Sequence, residues 1–185
     1  YIWGLTIDTD HIWFSTVANT LCLVESSYLG MDHPHQNDSW ACEMEGRDAR
    51  PPRMFMYDAS DRKMTDLTPK VYNSPDRDRL LHTIGLRSAG NFGGVVFFGG
   101  LMAPALPNFG GMPVVMFAFD AKSQRYLGSR LFDGNQGPIY TDIRQWRVIG
   151  GQLYTGVGAP NNQGKILRWT GSLSNPFSFK TVGTT

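Results

Sequence analysis

The sequence is poor in several things, and each shortage excludes something. It has no apolar run near the ~20 residues that a membrane-spanning helix needs. The longest apolar stretch, Val95 to Leu101, is interrupted by Gly99 and Gly100. Net charge is almost nil, with 17 basic and 16 acidic residues and no basic stripe. That argues against a nucleic-acid partner. Arg47, Arg50 and Arg53, and Arg144 and Arg147 around Trp146, read as solvated or salt-paired side chains. No stretch of helical spacing runs ten residues free of Gly or Pro, so no helix is expected. Gly-x-Ser-x-Gly and Walker motifs are missing. Gly90-Asn91-Phe92-Gly93-Gly94 lies in a hairpin turn rather than before a helix, so it is a poor phosphate cradle. No cofactor is expected.

Cysteine is scarce as well. Cys22 and Cys42 are the only two, both within one connection. They form a local disulfide if the compartment is oxidising, or stay free thiols. Asn37-Asp38-Ser39 between them is an N-glycosylation acceptor, which favours the disulfide and a secreted or cell-surface protein. The chain opens at Tyr1 without a Met, as a processed chain or a piece of a larger one would.

What is abundant points to an all-β fold. Gly (21), Pro (11) and aromatics (12%) suit many strands and turns, and charged residues are only 18%. Met54-Phe55-Met56-Tyr57-Asp58-Ala59 recurs as Met116-Phe117-Ala118-Phe119-Asp120-Ala121, with a relic at Ile166-Leu167-Arg168-Trp169-Thr170-Gly171. Each copy follows a hairpin containing an apolar or aromatic pair: Trp13-Phe14, Phe97-Phe98 or Leu153-Tyr154. Strands joined by connections of variable length are the mark of a repeat with insertions. Residues 25–53, with His33-Pro34-His35 and Pro51-Pro52, read as a long loop inserted in the first unit. Gly99 to Pro113 reads as a second loop.

Four antiparallel strands per unit match a β-propeller blade. Tyr57-Asp58-Ala59 followed by Met64-Thr65-Asp66-Leu67 resembles a kelch-type hairpin. Trp13-Phe14-Ser15-Thr16 resembles the second strand of virginiamycin-lyase-like and two-component-regulator propellers. The kelch double glycine stands at Gly93-Gly94 and Gly150-Gly151, while the first unit has Thr9-Asp10-His11. The resemblance implies three blades, over 1–70 (with the insertion 25–53), 80–134 and 139–185. Propellers typically close with roughly 4–8 blades. Further blades in a larger chain are therefore expected, or else edges covered by neighbouring subunits. A β-sandwich is the rival fold.

No catalytic residues stand out. His33 and His35 are a weak metal candidate beside Asp32, Cys42, Glu43 and Glu45; surface histidines are the simpler reading. The acid pairs Asp8 and Asp10, Asp58 and Asp61, and Asp76 and Asp78 read as turn residues. Arg87, Asn91, Arg144 and Trp146 stand near blade starts, where propellers bind ligands; hydrogen bonding between blades is the alternative. The expected function is a secreted or cell-surface module for binding or assembly, with a protein or carbohydrate partner and no catalysis of its own. The alternatives are a propeller lyase, hydrolase or quinone-dependent oxidoreductase acting on a carbohydrate or small metabolite, and a structural subunit.

Overall fold

The computed structural model describes residues 1–17, 51–102, 111–135 and 137–185. Among the described residues, twelve strands form three antiparallel four-stranded sheets, each from consecutive strands. The first holds β1 (Ile2–Asp8), β2 (His11–Thr16), β3 (Met54–Asp58) and β4 (Lys63–Asp66). The second holds β5 (Thr83–Phe92), β6 (Val95–Met102), β7 (Val114–Asp120) and β8 (Tyr126–Phe132). The third holds β9 (Asp142–Ile149), β10 (Gln152–Ala159), β11 (Gln163–Trp169) and β12 (Phe179–Thr184). The arrangement is three sheets, not the two of a sandwich. The opening strands adjoin one another, β1 beside β5 and β5 beside β9.

The repeated motif is the third strand each time, at β3, β7 and, as the relic, β11. Its Asp closes the following turn in the same way twice. Asp58 Oδ1 accepts the backbone N–H of Ser60 at 2.9 Å and of Asp61 at 3.2 Å. Asp120 Oδ1 accepts those of Lys122 at 2.9 Å and Ser123 at 3.0 Å. The Ala amide then reaches back to the first hairpin, Ala59 to the Asp10 carbonyl and Ala121 to the Gly94 carbonyl. In the relic, Thr170 instead bonds Ser178 through both backbone and hydroxyl.

Because side chains alternate across a pleated strand, the pairing registers assign each row to a face. Call the face toward the preceding sheet upstream and the face toward the following sheet downstream. On the second sheet the upstream rows are Asn91, Val96, Phe119, Tyr126 and Ala89, Phe98, Phe117, Ser129. They meet the first sheet's downstream face, where Trp13 stands 6.4 Å from the Phe119 ring. The second sheet's downstream row is Gly90, Phe97, Ala118 and Gly128. Phe97 stacks on Trp146 of the third sheet at 5.1 Å and 10°. Two apolar cores result, one on each side of the second sheet. Each fully buried Phe in them contributes ~1.5–3 kcal/mol of burial.

Two elements correct the sequence reading. Short helices α1 (Thr68–Tyr72) and α2 (Arg77–Leu81) stand in a sequence from which no helix is expected. At five residues each they are shorter than any periodic signal, and Pro69 is tolerated in a first turn. Their Val71 and Leu80, with Leu67, are fully buried beneath the first core. Strand β6 also runs through Gly99 and Gly100 rather than ending before them. A Cβ at Gly100 would lie 1.9 Å from the Gly85 carbonyl oxygen, so the glycine there permits close backbone approach.

Candidate functional site

Each opening strand carries a β-bulge, and bulges re-aim side chains. The register shifts between Ile2 and Gly4 on β1, freeing Trp3. It shifts between Leu86 and Ser88 on β5, freeing Arg87. On β9, Arg144 and Gln145 both stand opposite Gly156. These four residues line one cleft of about 370 Å³, with Asn91, Trp146, Arg147 and residues 4–6.

All four residues singled out from the sequence line this cleft, in different states. Arg87 is 8% exposed, and its Nη2 donates to Asp142 Oδ1 at 2.5 Å. Its Nε is buried without a partner, and its guanidinium lies 6.0 Å from the centre of the Trp3 ring. Arg144 is largely exposed; its Nε donates to Asp142 Oδ2 at 3.3 Å. Asn91 ties the first two sheets, accepting from Thr6 Oγ1 at 2.6 Å and donating to Asp8 Oδ1 at 3.4 Å. Trp146 is a core residue: Phe97 stacks on its ring, and Gly90 packs so close that a Cβ there would fall 2.3 Å from Trp146 Cγ. Its Nε1 is also buried without a partner.

Arg87 and Asn91 thus supply bonds between sheets, while Arg144, Gln145, Arg147 and the partly exposed Trp3 indole are open to solvent. Against three guanidiniums the cleft sets two adjoining carboxylates, Asp142 and, behind Asn91, Asp8, so its balance is cationic by one charge. Trp3, Asp142 and Arg147 were not picked out from the sequence as members of this group. Asp142-x-Arg144 was the available signal, an acid and a base two apart on one face of a strand.

Cys22, Cys42, Asn37, His33 and His35 lie outside the described residues. His11 pairs with Asp58 at 3.4 Å, and His82 Nδ1 sits 2.8 Å from the Asp78 carbonyl oxygen. The acids are turn and bridging residues: Asp76 accepts the Tyr126 hydroxyl at 2.7 Å. Hydrogen bonds from the Ser60 hydroxyl and Asp61 amide hold the Asp58 carboxyl down at about 2. Asp120 is lowered too, first by the Ser123 amide. Burial, then the bond to Asp76, pushes the Tyr126 phenol up. Among the described residues no three His, Cys, Asp or Glu side chains gather as a metal site. No helix among them is long and apolar enough to cross a membrane.

No family model and no curated protein sequence matches the chain. Among solved structures, a luciferin-regenerating enzyme is similar over all of this chain and 45% of its own, at 12% identity and TM-score 0.43. An acylaminoacyl peptidase of Pyrococcus horikoshii is similar over 99% of this chain and 32% of its own, at 9% identity and TM-score 0.41. The chain spans less than half the length of either protein. At this distance neither likeness carries an activity to it.

Proposed function

We propose that the chain is a run of three consecutive β-propeller blades acting as a binding module, with the cleft on its opening strands as the ligand site. The single observation that supports this most is the convergence on that cleft of a bulged residue from each of the three opening strands. In a propeller the opening strands β1, β5 and β9 line the central axis, where ligands are taken. The ligand class proposed is an acidic saccharide. Exposed guanidiniums suit a sugar carboxylate, and the Trp3 indole offers an apolar plate for the sugar ring. The compartment proposed is the cell exterior or surface, on the grounds of Cys22, Cys42 and the Asn37 sequon.

The test is calorimetric titration with a hexuronate oligosaccharide and with its methyl-esterified, uncharged counterpart. The expected result is heat from the acid form alone, weakened about tenfold by Arg144→Ala, the loss of one charge-assisted hydrogen bond (~1.4 kcal/mol). Equal binding of both forms, or none of either, overturns the reading.

A further inference from the structure

The same rows that define the interfaces expose an imbalance. The upstream face of the first sheet carries Ile7, Ile12, Tyr57, Met64 in one row and Leu5, Phe14, Phe55, Asp66 in the next. These match, place for place, the second sheet's rows Asn91, Val96, Phe119, Tyr126 and Ala89, Phe98, Phe117, Ser129. On the second sheet that face is the buried one. On the first, Leu5 is 52% exposed, Ile7 59% and Met64 58%. Phe14 and Phe55 stack on each other at 5.2 Å and remain partly exposed. An apolar face of this extent is unusual on an isolated soluble unit.

The opposite end of the chain presents a receding face, on which Tyr154 shares its row with Arg147, Arg168 and Lys180. The third sheet's downstream face bears Tyr154 where the first two sheets carry Trp13 and Phe97, the residues that meet the following sheet. Beside it Gly156 pairs with Ile166, and Gly158 pairs with Gly164. These small residues, together with Asp142, Arg144, Gln145 and Lys165, line a concavity of about 520 Å³. A Cβ at Gly156 would meet nothing, and Ile166 is 50% exposed. Bulk projects from one end of the molecule and a hollow opens at the other.

We infer that a second copy of this chain docks head to tail, its first sheet's upstream face seated on the third sheet's downstream face. The argument is continuity: two such interfaces already exist within the chain, and both halves of a third are present on every copy. A two-fold pair would join both ends at once and line up six sheets, a number within the roughly 4–8 that close a propeller. By the same register, Tyr57 at the place of Phe119 would meet Tyr154 at the place of Trp13. The inference rests on the sheet order and on the propeller reading, and it does not depend on the saccharide ligand.

The test is sedimentation of the chain across concentration, with Ile7→Glu altering the first face and Ile166→Glu the second. Both positions are exposed, and circular dichroism checks each fold. The expected mass is twice the 20.6 kDa of one chain. Each variant alone should be monomeric. An equimolar mixture should regain dimer, because one intact face of each kind remains. Gly156→Trp, which fills the hollow, should also block pairing. A wild type that stays monomeric overturns the inference and leaves the face to other blades of a longer chain. A dimer that Ile166→Glu leaves intact overturns the head-to-tail arrangement, and so does a mixture that stays monomeric. If saccharide binding fails while the dimer forms, only the ligand reading falls.

Discussion

The first and second sheets share a third-strand motif but not its surroundings. Phe55 and Phe117 occupy the same place in the repeat, as do Tyr57 and Phe119. In the second sheet both rings are fully buried between neighbours; in the first both remain partly exposed. Local sequence therefore sets the strand, its register and its turn, while position in the stack sets burial. The motif is built for burial on both sides, and the first sheet receives it on one.

The sharpest contrast between covered and open backbone is between two glycines. Gly100→Ala forces a Cβ into the Gly85 carbonyl and should cost about 3 kcal/mol or more. Gly156→Ala adds its methyl to open space and should be neutral or slightly stabilising, because glycine weakens a strand. Denaturant titration reads both. Equal costs would mean that the close approach of β5 and β6 does not exist.

Next come the matched rings. Phe117→Ala should cost ~4 kcal/mol. Phe55→Ala, in the dilute single chain, should cost nearer ~2 kcal/mol, since its ring is partly exposed. Similar losses would erase the distinction between the sheets. Asp142→Ala tests the seam between the second and third sheets by stranding the buried Arg87 guanidinium. About 2 kcal/mol is expected, below the figure for a fully buried pair because Asp142 is itself partly exposed.

The smallest effect concerns what the first two sheets share. Asp58 is held at about 2 in the folded chain, below its ordinary value near ~3.9. A lowered folded-state value means stability that is present above pH ~4 and lost as pH falls toward 2. Asp58→Asn should flatten that part of the stability–pH curve, and Asp120→Asn should do the same, since both acids cap the same turn. A flattening by one variant and not the other would show that the turns are not equivalent.

Local features were legible in the sequence. The three hairpin-plus-motif units and the turns at Asp58 and Asp120 follow from alternation and turn chemistry, whereas Arg87, Asn91, Arg144 and Trp146 stand out only by their place near the blade starts. The two helices were not legible, because five residues cannot show a period and Pro75 separates them. Nor were the bulges at Trp3, Arg87 and Arg144, which depend on pairing with a partner strand. The same holds for Gly99 and Gly100: a glycine that ends a strand and one that lets two backbones approach look identical until the neighbour is placed. Trp146 reads as a cleft aromatic, yet its ring faces are taken by Phe97 and Gly90, and the open indole is Trp3.

Methionine oxidation is the most direct test of the sheet order, because one reagent reports on both faces of the first sheet and on the middle of the second. Met64 lies on the upstream face and is exposed, whereas Met54, Met56 and Met116 are buried at the interfaces. Peptide mapping after mild peroxide treatment of the dilute single chain should find Met64 converted quickly and the other three slowly, since exposure governs the rate. Oxidation of Met54 and Met56 as fast as Met64 would contradict the account, because the second sheet would then not cover the first.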